Sequence, residues 1–169
     1  MRKSSLAAMA LAGLASPALA ADPTGDWMVA DKVAVIRVAA CGQALCGHIV
    51  WVKGPASPDR HNPDPAKRNR STLGLKTVID MKPTRSNRWE GEIYNAEDGK
   101  TYQGNISLVS ANVLRIEGCL LGFLCGGQNW TRAKCNGAPA TAGADGRKTT
   151  ATSSTQSPAF PSSCREVAP

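Results

Sequence analysis

The stretch that decides the fold is Arg88-Trp89-Glu90-Gly91-Glu92-Ile93-Tyr94-Asn95, then Ala96-Glu97-Asp98-Gly99, then Lys100-Thr101-Tyr102-Gln103-Gly104-Asn105-Ile106-Ser107-Leu108. Trp89, Gly91 and Ile93 alternate with Arg88, Glu90, Glu92 and Tyr94. Tyr102, Gly104, Ile106 and Leu108 alternate with Thr101, Gln103, Asn105 and Ser107. A period of two places one set on a buried face and the other toward water, which is the pattern of a half-buried β-strand. Only one register matches both strands. The four-residue connection sets Asn95 opposite Lys100, with Gly99 in the left-handed conformation that costs glycine little. Ile93 then faces Tyr102, Gly91 faces Gly104 and Trp89 faces Ile106. A slip of one residue would put Gln103 against Ile93 on the apolar face. Two glycines meeting on the inner face mark either a sharp bend at a barrel corner or missing side-chain volume inside it. The bend is the favoured reading.

Outward from this hairpin, further β-rich runs recur between turn signals. They are Trp27 to Ala30, Val33 to Ala39, Leu45 to Lys53, Leu75 to Met81, Val113 to Gly118 and Gln128 to Lys134. About eight strands at this spacing, with no helical stripe for parallel crossovers, predict an all-β, antiparallel barrel or sandwich. The chain of 169 residues, 42% hydrophobic and 5% aromatic, fits one modest domain. No apolar run is long enough to span a bilayer as a helix.

The two ends of the chain differ from the middle. Met1-Arg2-Lys3 is a basic start, Leu6 to Leu14 a short apolar core, and Ala18-Leu19-Ala20 a small-residue cleavage signal. Residues 1–20 therefore read as a signal peptide, with the product exported to a periplasmic or secreted location. Losing Arg2 and Lys3 lowers the formal charge from +7 to +5. The domain is expected over 21–135. Residues 136–169, rich in Ala, Thr, Ser, Gly and Pro, read as a low-complexity tail, mostly disordered or draped over the domain.

Export changes how the six cysteines read. Cys41 and Cys46 flank one strand junction and Cys119 and Cys125 another, and in an oxidising compartment each pair makes an economical local staple. A zinc site built from these four thiolates is disfavoured by spacings wider than those of structural zinc knuckles. Cys164 pairs either with Cys135, closing a long loop, or with another chain. No metal and no cofactor is expected.

The connection from Gly54 to Gly74 has four prolines and no strand pattern, and insertions of this length in compact domains tend to be functional or disordered. Asp64-Pro65 has the chemistry to cap and begin a helical turn through Lys67 and Arg68, making a small lid. Between Lys53 and Arg88 there are nine Lys or Arg and three Asp, so the positive charge concentrates here. An anionic partner at Arg68 and Arg70 is one reading. The other is a solvated surface, with those arginines paired to Asp59 or Asp64. His48 and His61 are the only groups that titrate near neutrality without perturbation, and no catalytic motif accompanies either. His48 reads as a packed or surface residue and His61 as loop surface. Trp51, Trp89, Tyr94 and Tyr102 are aromatic candidates for a pocket lining, with plain core as the blander alternative.

Several motifs then carry a family likeness. They include Pro23 with Gly25 and Trp27, Cys41-Gly42 with Cys46-Gly47 and Val50-Trp51, Asp59, and Asn62-Pro63-Asp64-Pro65 with Arg68, Arg70 and Leu73-Gly74-Leu75. They continue through Trp89, Gly91, Tyr94-Asn95, Asp98-Gly99, Tyr102, Gly118-Cys119 and Trp130 with Arg132. Over Asp22 to about Arg132 the chain resembles the exported bacterial family called domain of unknown function 2147. Where the family pattern more often has a proline after the second arginine, this chain has Ser71. The resemblance implies a lipocalin-like, or calycin-like, barrel locked at one end by Gly25, Trp27 and Arg132, the arginine lying over the indole. It brings no catalytic residue to transfer.

Three functions are in view. The first is binding of a small apolar or amphipathic, even anionic, ligand inside the barrel. Trp51, Trp89, Gly91, Tyr94, Tyr102 and Gly104 would line it, with Asp59, Asn62, Arg68 and Arg70 at a basic mouth. The second is a non-catalytic interaction with an envelope component through the basic loop, the barrel being a scaffold. An enzyme ranks third. No nucleic-acid-binding module is recognisable.

Overall fold

In the computed structural model, which describes residues 22–121, 123–136 and 161–167, the hairpin has the expected register. Asn95 pairs with Lys100, Ile93 with Tyr102, Gly91 with Gly104 and Trp89 with Ile106. Gly99 takes φ 70°, and its amide donates to the Asn95 carbonyl at 2.9 Å. Both requirements come from the sequence: a left-handed turn residue where glycine stands, and an apolar face kept on one side.

The strands are β1 (Gly25–Met28), β2 (Ala34–Cys41), β3 (Ala44–Val52), β4 (Lys76–Arg85), β5 (Arg88–Asn95), β6 (Lys100–Ser110), β7 (Val113–Leu120) and β8 (Leu124–Asn136). Each pairs antiparallel with the next, and β1 also pairs with β8, Trp27 opposite Arg132, so the sheet closes into a barrel. Closure removes the free edges that an open sheet would expose. Because the strands alternate in direction, the ends of β1, β3, β5 and β7 share one rim with the Gly54 to Gly74 connection. The turns after β2, β4 and β6 form the other rim.

The interior is filled by Trp27, Ile36, Val38, Ile49, Val78, Met81, Ile106, Leu114, Ile116 and Trp130, all buried. At the rim where β1 begins, the Arg132 guanidinium lies 4.2 Å from the Trp27 ring centroid. Its nitrogens donate to the carbonyls of Ala111 (2.7 Å), Thr24 (2.8 Å) and Asp22 (3.2 Å). The Trp27 indole N–H donates to Pro23. Gly25 has φ 121°, and a Cβ there would stand 2.7 Å from Arg132 Nη1, so glycine at this position is what lets the arginine through. Gly25, Trp27 and Arg132 thus pack as one unit across this end of the barrel.

Gly91 and Gly104 sit where strands approach closely. A Cβ at Gly91 would lie 2.5 Å from the Ile79 carbonyl oxygen, and one at Gly104 would overlap the Glu117 carbonyl oxygen and Ile93 Cδ1. Next to Gly91 the β4 register shifts between Ile79 and Lys82. The pair marks a bend and leaves no spare volume. Gly104→Val is expected to destabilise by about 2 kcal/mol through overpacking against backbone. A thermal midpoint within about 3 °C of the parent in circular dichroism would contradict the close approach.

A ninth strand, β9 (Ser163–Glu166), pairs with the end of β8 in the segment read from sequence as a tail. Cys164 stands opposite Cys135 and is bonded to it, and Cys41–Cys46 and Cys119–Cys125 are the other disulfides. Glu166 accepts from Thr131 and pairs with Lys32 at 2.8 Å. The strand escaped sequence reading because four residues without apolar alternation show no period; the disulfide and cross-strand pairing hold them. The expected signal peptide and most of the expected tail, 137–160, lie outside the described residues.

Candidate functional site

Inside the barrel and opening at the rim opposite Arg132 is a cavity of about 490 Å³, in the size range of small-molecule sites. Its wall draws on β2 through β8, chiefly Ile36, Ile49, Ile93, Ile116, Tyr102 and Trp130. The rim adds Asp31, Glu97, Leu120 and Leu124, and the lining contains no Lys or Arg. Gly118, Gly126 and Gly127 border it on β7 and β8; a Cβ at Gly126 would meet open space, whereas one at Gly127 would overlap the Ile116 carbonyl oxygen.

Two lining residues carry polar atoms with no partner in the protein. The Thr77 hydroxyl and the Trp130 indole N–H are buried and unbonded among the described residues. Leaving such a group unsatisfied costs about 1–3 kcal/mol, and native interiors keep few of them. Both residues stand in the wall of the same cavity, but the two polar atoms are covered by protein and do not face the open space.

The Gly54 to Gly74 connection is anchored by a buried polar network instead of closing over the cavity. Asp64 caps a single 3₁₀ turn, Pro65–Lys67, as its sequence predicts, accepting from the Ala66 amide at 3.0 Å. Asp59 is fully buried and accepts from Tyr94 Oη at 2.7 Å, Asn62 Nδ2 at 2.8 Å and Arg70 Nη2 at 2.9 Å. Arg68 Nε donates to the Asn62 carbonyl at 2.8 Å. Burial alone would push the Asp59 carboxyl up, yet the donors Tyr94, Asn62 and Arg70, with the arginine's charge, hold it below the usual carboxylate range. The Tyr94 hydroxyl is pushed up by burial and then by Asp59. Tyr94 shares a face of β5 with exposed Glu92, so its own burial comes from the loop laid over it. No residue from 53 to 76 lines the cavity.

The sequence candidates therefore separate. Tyr94 and Tyr102 border the cavity. Trp89 packs on the core, and it, Gly91 and Gly104 lie outside the lining. Trp51 lies on the outer wall, packed with Met28, Val35, Val50, Ala133 and the Cys135–Cys164 bridge. The cause is a bulge: Val35 pairs with Trp51 but Ile36 with Ile49, so one extra residue in β3 turns Trp51 outward. Asp59, Asn62 and Arg70 are joined in the loop network, and the positive charge is divided. Lys82, Arg85 and Arg88 are carried by β4 and β5 toward the rim opposite the loop, which a ten-residue strand reaches over about 30 Å.

His48 is exposed on β3, opposite Arg37 and Lys76; burial and then Lys76 push its pKa down. The His61 carbonyl packs against Gly99 so tightly that a Cβ there would overlap it. Neither histidine lines the cavity. Cys41, Cys46 and Asp80 come within metal-ligand distance of one another, but the two sulfurs are bonded together and offer no thiolate.

Sequence reading missed two features. Thr77 and Trp130 carried no signal, because an orphaned polar atom is a property of packing. Leu120, Leu121, Phe123 and Leu124 stand exposed at the β7–β8 tip; four large apolar residues among the five between two cysteines were the available signal.

An up-and-down antiparallel barrel with one locked end and one open cavity is lipocalin-like in class. A solved structure similar to it, titled "Protein HP1028 from the human pathogen Helicobacter pylori belongs to the lipocalin family", aligns with TM-score 0.61 and 21% identity. The match covers 66% of this chain and 82% of that one, and shows the shared fold. The family described as "Uncharacterized protein conserved in bacteria (DUF2147)" matches residues 25–132, and the chain belongs to it. No curated protein matches.

Proposed function

We propose that this protein is an exported carrier for a small amphipathic molecule held in the barrel cavity. The observation that supports it most is a cavity of about 490 Å³ inside the barrel, with a mainly apolar wall and a mouth at one rim. The isoleucines and Tyr102 would take the apolar body. With Asp31 and Glu97 at the rim and no cation in the wall, a neutral polar group suits this site better than an anion. The leader-like first twenty residues and the three disulfides support an oxidising, extracytoplasmic setting, periplasmic or secreted.

The test is native mass spectrometry of the protein isolated from its own cell envelope. A retained small-molecule mass is expected, lost in Ile116→Trp, which fills the cavity. No retained mass from folded parent protein, or full retention in Ile116→Trp, would overturn the carrier.

A further inference from the structure

The tip of the β7–β8 hairpin exposes a cluster of large apolar side chains. Leu121 is 79% exposed, Phe123 72%, Leu124 59% and Leu120 45%. The Cys119–Cys125 disulfide joins the two strands directly beneath, opposite residues of the same ladder. A hairpin end of this composition gains by folding back onto apolar surface; the staple holds it out from the barrel. Leu121 takes φ 53°, a left-handed conformation that costs a side-chain-bearing residue about 1–2 kcal/mol. Apolar clusters held in water in this way mark contact surfaces.

The charge of the rim as a whole selects the partner. The long β3–β4 connection lies on the same rim, across the barrel from the tip, and presents Lys53, Arg60, Lys67 and Arg68 exposed, with Lys76 exposed at the start of β4; Lys67 is paired with Asp64 and Lys76 with Asp80. Asp31, Glu97 and Asp98 are the exposed acids of the neighbouring turns. A two-fold contact between tips would bring two such rims together, cation toward cation. A bilayer with anionic headgroups satisfies both features, offering an apolar boundary to Leu and Phe and phosphates to Lys and Arg.

We propose that this rim docks on an anionic phospholipid surface, with Leu121 and Phe123 entering the headgroup–acyl boundary and the cations of the β3–β4 connection resting on the phosphates. Leu120 and Leu124 also line the cavity, so docking sets the cavity mouth against the lipid. The docking surface stands whether or not the cavity carries a ligand.

The probe is vesicle co-sedimentation of the disulfide-bonded protein with mixed phosphatidylglycerol–phosphatidylcholine or with phosphatidylcholine alone. Binding is expected to the anionic vesicles and to weaken with added salt. Leu121→Ser with Phe123→Ser should reduce it at least about tenfold, as removal of two apolar anchors predicts. Lys53→Glu with Arg60→Glu should reduce it comparably. All these side chains are exposed, so the thermal midpoint serves as the folding control. In Phe123→Trp the indole emission should shift to the blue on adding anionic vesicles. Equal sedimentation of parent and tip variant, or no vesicle binding by folded parent, overturns the proposal. So does a parent dimer that the tip variant converts to monomer without any change at the vesicle.

Discussion

Asp59→Ala is expected to lower the stability by about 3 kcal/mol and the thermal midpoint by roughly 15 °C. The substitution leaves Tyr94 Oη and Asn62 Nδ2 buried without their shared acceptor, and it unpairs Arg70. The Arg70 side chain is 41% exposed and regains water, which keeps the loss near the lower end of the range for breaking a buried ion pair. The effect also has a pH signature. The carboxyl is held lower folded than unfolded, so its charge favours the folded state. That contribution is complete above the unfolded carboxylate value near about 4 and is lost as pH falls through the lower folded value. The parent's midpoint should therefore fall more steeply than that of Asp59→Ala as the pH drops below about 4. Parallel melting curves across that window, or a midpoint shift under about 3 °C at neutral pH, would show that the network does not hold the loop.

Removing the end lock should cost nearly as much. Arg132→Met keeps a long side chain over Trp27 but loses the cation over the ring and three donated hydrogen bonds. The expected loss is about 2–3 kcal/mol, a midpoint lower by about 10 °C. Arg132→Lys should recover only a minor part, because one ammonium does not reproduce a planar fork aimed at three carbonyls. Since the lock lies at the end away from the cavity mouth, retention of any native ligand should survive at temperatures where the variant is folded. A lysine variant as stable as the parent would reduce the lock to simple charge.

Much of the fold could be read residue by residue. The β5–β6 register followed from two alternating patterns and one turn glycine, and the Asp64 cap from an Asp-Pro pair. These are short-range consequences of backbone geometry, so a window of ten or twenty residues contains their cause. The candidate site was less legible. Trp51 had the right chemistry for a pocket, yet a one-residue bulge in β3 turned it to the outer wall, and no local pattern announces a bulge. Arg70 stood between an anionic ligand and a pairing with Asp59 or Asp64, and only the folded loop, which brings Asp59 to it from eleven residues away, decides for the pair.

Within the sequence lay the register of the β5–β6 hairpin, the pairing of the two local cysteine staples and, through the family resemblance alone, the residues that plug one end. Tertiary structure alone decided where the cavity opens, which side chains wall it, and that the long basic connection is tied to Tyr94 at the rim. Alternation says which residues share a face of a strand. Closing eight strands into a ring decides what that face meets across the barrel. Thr77 and Trp130 show the difference: each is an ordinary strand residue in sequence, and only the packing sets both beside one cavity with their polar atoms covered and without a partner.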